Sequence, residues 1–245
     1  MKIGIIPARY ASTRFPGKPL VLIHNKPMIQ HVYEKSKEAD LDDLFVATDD
    51  ERIKKTVENF GGKVIMTHQN HASGTDRCAE AARILNLKDT DFVINIQGDE
   101  PFIRKEEINL LVNLFDNQEI EIATLCKPIT TEEEMNNPNK VKVVFTNSNR
   151  ALYFSRAAVP EGHSALCPYI PYVAYKHLGI YAYRNDVLQR ITQLPLSSLE
   201  KIERLEQLRW LENDFNIHVL ICDYESVAVD TPEDLEKLKI KNYEL

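Results

Sequence analysis

Two kinds of apolar spacing alternate along this chain, and the alternation limits the folds open to it. Short β-branched runs occur at Ile3–Ile6, Leu44–Ala47, Val64–Met66, Phe92–Ile96, Ile122–Leu125, Val141–Phe145, Leu178–Tyr183 and Ile217–Cys222. Between many of them lie stretches with helix spacing. Met28, Ile29, Val32 and Tyr33 form one stripe. Ile53, Val57 and Phe60 form another, stopped by Gly61-Gly62, and Ile108, Leu111, Val112 and Phe115 form a third. Short continuous runs suit strands buried on both faces, whereas residues three and four apart share a helix face. Strands alternating with helices predict βαβ units and an α/β fold with a mainly parallel sheet. Thr48-x-x-Glu51, Thr131-x-x-Glu134 and Ser197-x-x-Glu200 predict capped helix starts. Thr231-Pro232 predicts a cap followed by proline at the first helical position.

The rhythm breaks after about residue 126. Residues 136–140 read as a loop, and Val141–Phe154 as two strands joined through Asn147–Asn149. Residues 157–172 hold three prolines and a glycine without periodicity. The expectation is a single domain over 1–245, with 127–185 as a smaller inserted α+β lobe. The chain then returns through a long helix at 197–213, a strand at 217–222 and a closing helix at 232–241. Leu199, Ile202, Leu205 and Leu208 form the expected buried stripe of the long helix. No apolar run approaches the ~20 residues of a membrane helix. The first residues are expected to form a strand rather than a secretion signal. Cys78, Cys126, Cys167 and Cys222 are scattered without a C-x-x-C pair, as expected of buried thiols in a reducing cytoplasm. A net charge of −7 without a basic stripe argues against nucleic acid as a partner.

Against that acidic background, one loop is basic. The segment from Pro7 to Leu20 carries Arg9, Arg14 and Lys18 with Ser12 and Thr13, directly after the first strand. Loops at the carboxyl ends of strands in open α/β sheets bind ligands, and these side chains suit a polyphosphate. Neither G-x-x-x-x-G-K-[ST] nor G-x-G-x-x-G occurs, so side-chain charge must carry the binding. Asp99, in Gln97-Gly98-Asp99-Glu100-Pro101, would stand at the same sheet edge. A carboxylate facing a phosphate loop is a usual hold for Mg²⁺, and the alternative is a solvated turn residue. Asp230 is either a second metal ligand or simply the residue ahead of a cap. Ser73-Gly-Thr-Asp-Arg77 opens a helix whose N-terminus suits a phosphate or base; plain capping with a surface arginine is the other reading. His177 carries no metal-ligand spacing. Glu206 faces either a cleft or Arg204 and Arg209. The absence of H-E-x-x-H and G-x-S-x-G leaves zinc-protease and serine-hydrolase chemistry without support.

Eight segments then fall into a familiar order. They are Ile6–Leu20, Ala47-Thr-Asp-Asp50, Ser73–Arg77, Gln97–Pro101, Ala151-Leu-Tyr-Phe-Ser-Arg156, Lys176-His-Leu-Gly-Ile-Tyr181, Leu205-Glu-Gln-Leu-Arg209 and Val229-Asp-Thr-Pro-Glu-Asp234. Together they resemble the 3-deoxy-manno-octulosonate (KDO) cytidylyltransferases, from residue 3 to about 240. The resemblance implies a Rossmann-like nucleotidyltransferase, a homodimer with Mg²⁺ as cofactor. Its reaction would be CTP + KDO → CMP-KDO + diphosphate, serving lipopolysaccharide or capsule assembly. It implies Ala8, Arg9, Arg14, Lys18, Ser73, Thr75 and Arg77 around CTP. Asp99 and Asp230 would hold the metal, and Arg14 and Lys18 would balance the leaving diphosphate. Gln97, Arg156, His177, Tyr181, Glu206 and Gln207 would line the sugar pocket. Residues 160–172 carry little of the family pattern, which leaves an 8-amino KDO or another acidic sugar as the alternative substrate.

Overall fold

The first strand shows how the spacing becomes architecture. In β1 (Lys2–Ala8), Ile3 and Ile5 enter the core on one face of a sheet, and Ile6 and Ala8 enter the core on the other. Fully burying an aliphatic side chain contributes about 1.5–3 kcal/mol, so a strand apolar on both faces is stable only between two helical layers. The computed structural model describes residues 1–11, 15–115, 117, 119–160, 173–224, 229, 231 and 233–235.

After β1 come the short strands β2 (Leu22–Ile23) and β3 (Lys26–Pro27), then α1 (Met28–Ser36), β4 (Asp43–Thr48), α2 (Glu51–Asn59) and β5 (Val64–Met66). They are followed by α3 (Gly74–Ile84), β6 (Phe92–Asn95), α4 (Lys105–Leu114), β7 (Ile122–Pro128) and α5 (Glu132–Asn136). Next are β8 (Lys142–Phe145), β9 (Ala151–Ser155), β10 (Tyr175–Arg184), α6 (Asn185–Ile191), α7 (Ser198–Glu203), α8 (Gln207–Leu211) and β11 (Ile217–Ile221). The principal sheet runs β11-β7-β10-β6-β1-β4-β5. Its pairs are parallel except around β10, which is antiparallel to both β6 and β7. Residues of α3, α6 and α8 pack on one face, and those of α1, α2 and α4 on the other. From β1 the chain steps out to β4 and β5, then α3 carries it back to β6 on β1's other side. This reversal of strand order opens a crevice at the carboxyl ends of β1 and β6.

The expected α/β fold with a mostly parallel sheet is therefore what forms. Three details differ. The expected lobe 127–185 ends in β10, which lies inside the principal sheet, while β8 and β9 extend from it as an antiparallel hairpin. The expected long helix is broken: Arg204 adopts a left-handed conformation (φ 55°) between α7 and α8. That break turns Ile202 outward to 75% exposure, so it is not part of a buried stripe. Thr48 does not cap α2 but ends β4; the cap is Asp50, whose side chain accepts from the Arg52 N–H. Ser197 and Thr131 cap as expected, and Thr231 Oγ1 accepts from the Asp234 N–H. Pro232 and residues 236–241 of the expected closing helix lie outside the described residues. Cys78, Cys126 and Cys222 are buried free thiols, and burial pushes Cys126 up to about 12. Cys167 lies outside the described residues.

Candidate active site

The crevice holds a cavity of about 240 Å³ whose wall includes Ala8, Arg9, Lys18, Ser73, Arg77, Gln97 and Asp99. Two glycines shape it. Gly17 takes φ 73°, and its N–H donates to Tyr10 O at 2.9 Å, closing the basic loop on itself. A Cβ there would stand 3.1 Å from the Tyr10 ring, the ring over which the Arg52 guanidinium lies at 3.3 Å from the centroid. At Gly98 a Cβ would stand 3.0 Å from Pro7 O, so glycine lets the turn after β6 lie against the end of β1 without a shift. The next residue, Asp99, thereby meets the basic loop, and its Oδ2 accepts from Lys18 Nζ at 2.7 Å. Val229 N donates to Asp99 O at 2.9 Å. Arg14 and Asp230 lie outside the described residues.

The opposite wall is α3 and the loop before it. Ser73 caps α3 in a reciprocal box with Asp76. Gly74 packs so closely on Pro7 that a Cβ would lie 3.2 Å from its ring. The Arg77 guanidinium is buried beneath the cavity, donating to Thr67 Oγ1 at 2.5 Å and standing 3.2 Å from Asp49 Oδ1. Burial lowers its pKa, with the Asp49 carboxylate opposing. Glu80, one turn further along α3, accepts from the His68 N–H at 2.8 Å and from His71 Nε2.

The residues expected on the sugar side do not share that wall, Gln97 excepted. Gln97 Nε2 donates to Gly179 O at 3.0 Å, at the irregularity in β10 between Leu178 and Tyr181. Behind it, His177 Nε2 donates to Thr124 Oγ1 at 2.9 Å, and that hydroxyl donates to Ile180 O at 2.7 Å. Burial pushes His177 down to about 3, so the ring is neutral. Tyr181 is buried, its hydroxyl without a well-formed hydrogen bond among the described residues, and burial raises its pKa. Thr75, expected near the nucleotide, is buried behind the cavity wall and donates to Glu206 Oε2 at 2.8 Å. Glu206 also accepts from Arg209 at 3.0 Å. Its pKa is raised by burial against the pull of Thr75 and Arg209. Gln207 is buried at the start of α8. Arg156 lies elsewhere, in a surface cavity with Pro138, Asn139, Ile202, Glu203 and Arg204. Its guanidinium donates to the carbonyls of Glu203, Pro138 and Arg204 at 3.0, 3.0 and 3.4 Å. The fully buried Lys142 ammonium donates to Arg156 O at 2.7 Å and fixes that main chain from below.

Residues 3–219 match the family model described as Cytidylyltransferase. The chain belongs to the cytidylyltransferase family. This cytidylyltransferase is 52% identical over 242 residues to the 3-deoxy-manno-octulosonate cytidylyltransferase of Thermodesulfovibrio yellowstonii, covering 96% of this chain and 95% of that one. It is 53% identical over 234 residues to the 8-amino-3,8-dideoxy-manno-octulosonate cytidylyltransferase of Shewanella pealeana, covering 94% of each. Among solved structures it is similar to a CMP:2-keto-3-deoxy-manno-octonic acid synthetase complexed with CTP. That match has a TM-score of 0.90 and 44% identity, covering 98% of this chain and 97% of the other.

The cytidylyltransferase cavity also holds residues that sequence reasoning passed over, His71 and Ala72. Their signal was faint. A lone histidine two residues ahead of a cap has no diagnostic spacing. Glu80 and Arg77 sit three apart on α3, a spacing that places both on one helix face and hints that both reach the same loop.

Proposed function

We propose that the chain transfers CMP from CTP to the anomeric hydroxyl of KDO, releasing diphosphate. The observation that carries this reading is the meeting of Arg9, Lys18 and the α3 N-terminus with Asp99 around one cavity. The hydroxyl attacks the α-phosphorus in line, the P–O bond to diphosphate breaks, and the hydroxyl proton leaves to solvent. Most of the work is positioning and neutralising charge. Lys18 and Arg9 offset the growing charge on the diphosphate, with Arg14 assigned the same part from the basic loop. The amides at the start of α3 face phosphate with the favourable end of the helix dipole. Arg77, spent on Thr67 and Asp49, holds the wall rather than reaching into the cavity.

Among the described residues no three His, Cys, Asp or Glu side chains cluster as a metal cage. Mg²⁺ does not need one, because one or two carboxylates together with substrate phosphates suffice. The Asp99 carboxylate on the cavity wall fits that donor chemistry, and Asp230 is the proposed second carboxylate. When bound, Mg²⁺ would supply neutralisation of the phosphate charge. The sugar is proposed to enter beside Gln97, toward the layer of His177, Tyr181, Glu206 and Gln207. In this geometry the Arg156 side chain is occupied by carbonyls, so its hold on the sugar carboxylate would require the lobe to close. The reading takes the chain as a cytoplasmic homodimer serving lipopolysaccharide or capsule assembly, with exposed Leu152 on β9 favouring a contact between copies.

Incubation with CTP, KDO and Mg²⁺ is expected to release diphosphate, and Asp99→Asn to lower turnover by about 10²–10³ or more. Absence of release with any KDO-type sugar would overturn the reading. A second reading, transfer to 8-amino KDO, has a specific support: a relative of that name is as similar as one named for KDO. Side-by-side rates with the two sugars decide between them.

A further inference from the structure

The loop from Thr67 to Ser73 is shaped by the helix that follows it. Arg77 reaches back to Thr67, and Glu80 reaches back to both the His68 N–H and the His71 ring. Three α3 contacts, with the Ser73–Asp76 cap, thus hold one short segment from below. The His71 ring ends up on the cavity wall beside Arg9, Ser73 and Arg77, with its side chain 16% exposed. Burial works against ionised Glu80, but the His71 and His68 donors outweigh it and hold its pKa below the usual value. An ionised carboxylate only accepts hydrogen bonds, so the ring nitrogen facing it, Nε2, carries hydrogen. The tautomer is fixed in this way by a partner outside the cavity, a familiar means of orienting an imidazole. Nδ1 makes no hydrogen bond among the described residues. In the neutral ring it is an acceptor.

We infer that His71 is a nucleotide-recognition residue, held by Glu80 so that Nδ1 accepts a hydrogen bond from an N–H or O–H of the bound nucleoside. The inference rests on the proposed use of this cavity for CTP. Two groups on CTP offer the required donor, the cytosine 4-amino group and a ribose hydroxyl. Glu80 is a positioning residue, acting through the ring and not on the ligand.

CTP affinity measured by calorimetry tests this independently of turnover, with steady-state KM for each substrate beside it. His71→Ala is expected to weaken CTP about tenfold, a net hydrogen bond's worth, with kcat and the KM for sugar little changed. Glu80→Ala should weaken CTP in the same direction, and Glu80→Gln, whose amide oxygen still accepts from Nε2, should restore most of the loss. If the 4-amino group is the donor, the preference for CTP over UTP collapses in His71→Ala. If the ribose 2′-hydroxyl is the donor, 2′-deoxy-CTP binds wild type and His71→Ala alike, and if it is the 3′-hydroxyl, 3′-deoxy-CTP does. A folded His71→Ala protein with CTP affinity within twofold of wild type overturns the inference, as does a KM that rises equally for both substrates. Wild-type protein that binds CTP but turns over no KDO-type sugar sinks the sugar assignment alone. Wild-type protein that fails to bind CTP sinks both.

Discussion

At the scale of single residues, the candidate site depends as much on an absent side chain as on charged ones. Asp99 meets Lys18 because nothing projects from Gly98 toward Pro7 O, only 3.0 Å from where a Cβ would stand. Gly98→Ala should therefore cost about 1–3 kcal/mol of stability, as overpacking does. It should cost turnover more heavily, because a displacement of about 1 Å at the proposed catalytic carboxylate is worth about 10²-fold. Urea unfolding and diphosphate release on the same preparation check the two parts. A variant as stable as wild type would show that the turn relaxes without strain. Lys18 and Asp99 were legible in the sequence because a basic loop in an acidic chain and a Gly-Asp turn are both unusual. His71 was not, because its meaning comes from Glu80, which only the folded loop brings to it.

At the scale of elements, apolar spacing marked where strands and helices lie but not their direction or their breaks. The run Leu178–Tyr183 reads the same whether β10 runs parallel or antiparallel, since burial on both faces is indifferent to polarity. Nothing at Arg204 resembles a glycine or proline stop, yet it takes the left-handed turn that splits α7 from α8. The split carries Glu206 inward to Thr75, where a continuous helix would have left it at a boundary. The burial of His177 in β10 has an energetic signature as well. His177 titrates near 6.5 when unfolded and is held down to about 3 when folded. As pH falls below 6.5 the unfolded chain takes up a proton that the native chain refuses. The stability is thus present above 6.5 and is lost progressively toward 3. His31 and His218 are shifted the same way by burial, and Glu107 and Glu206 the opposite way. A single substitution therefore isolates the effect better than the whole curve. His177→Gln should flatten the dependence of unfolding free energy on pH between about 6 and 4, by up to about 1.4 kcal/mol per pH unit. An unchanged slope in denaturant titrations would place the His177 proton elsewhere.

At the scale of the whole molecule, the strand-order reversal between β4, β1 and β6 sets the crevice, and both of its walls belong to one sheet and its helices. A ligand there should stabilise the fold as a unit. CTP at about a hundredfold excess over its Kd would add about 2.7 kcal/mol. For a chain of this size that is roughly 5–10 °C in Tm. Lys18→Met should lose most of that shift while its ligand-free Tm stays near wild type, because an exchange of one ion pair at a partly open site costs the apo fold little. A scan with and without CTP on both proteins measures it. The α/β class and its mostly parallel sheet were readable from alternation alone. The extent of the lobe was not, because the strand that closes it, β10, is shared with the principal sheet.

The back-reaching contacts of α3 carry one more consequence. Most of what shapes the α3-side wall between Thr67 and Glu80 is contributed by that same stretch of chain, with outside supports from Asp49 and Pro7, the Thr48 and Glu206 oxygens and the Gln189 amide. The layer behind Gln97 has no such independence. It draws on α3, β7, β10 and α8, which are far apart in the chain. A wall written mostly in one continuous passage can be exchanged whole, by recombination or by grafting, where its few outside partners are kept. A pocket assembled from scattered passages can change only one position at a time. Transplanting residues 67–80 between relatives should therefore carry base preference with it, whereas sugar preference would have to be rebuilt piece by piece.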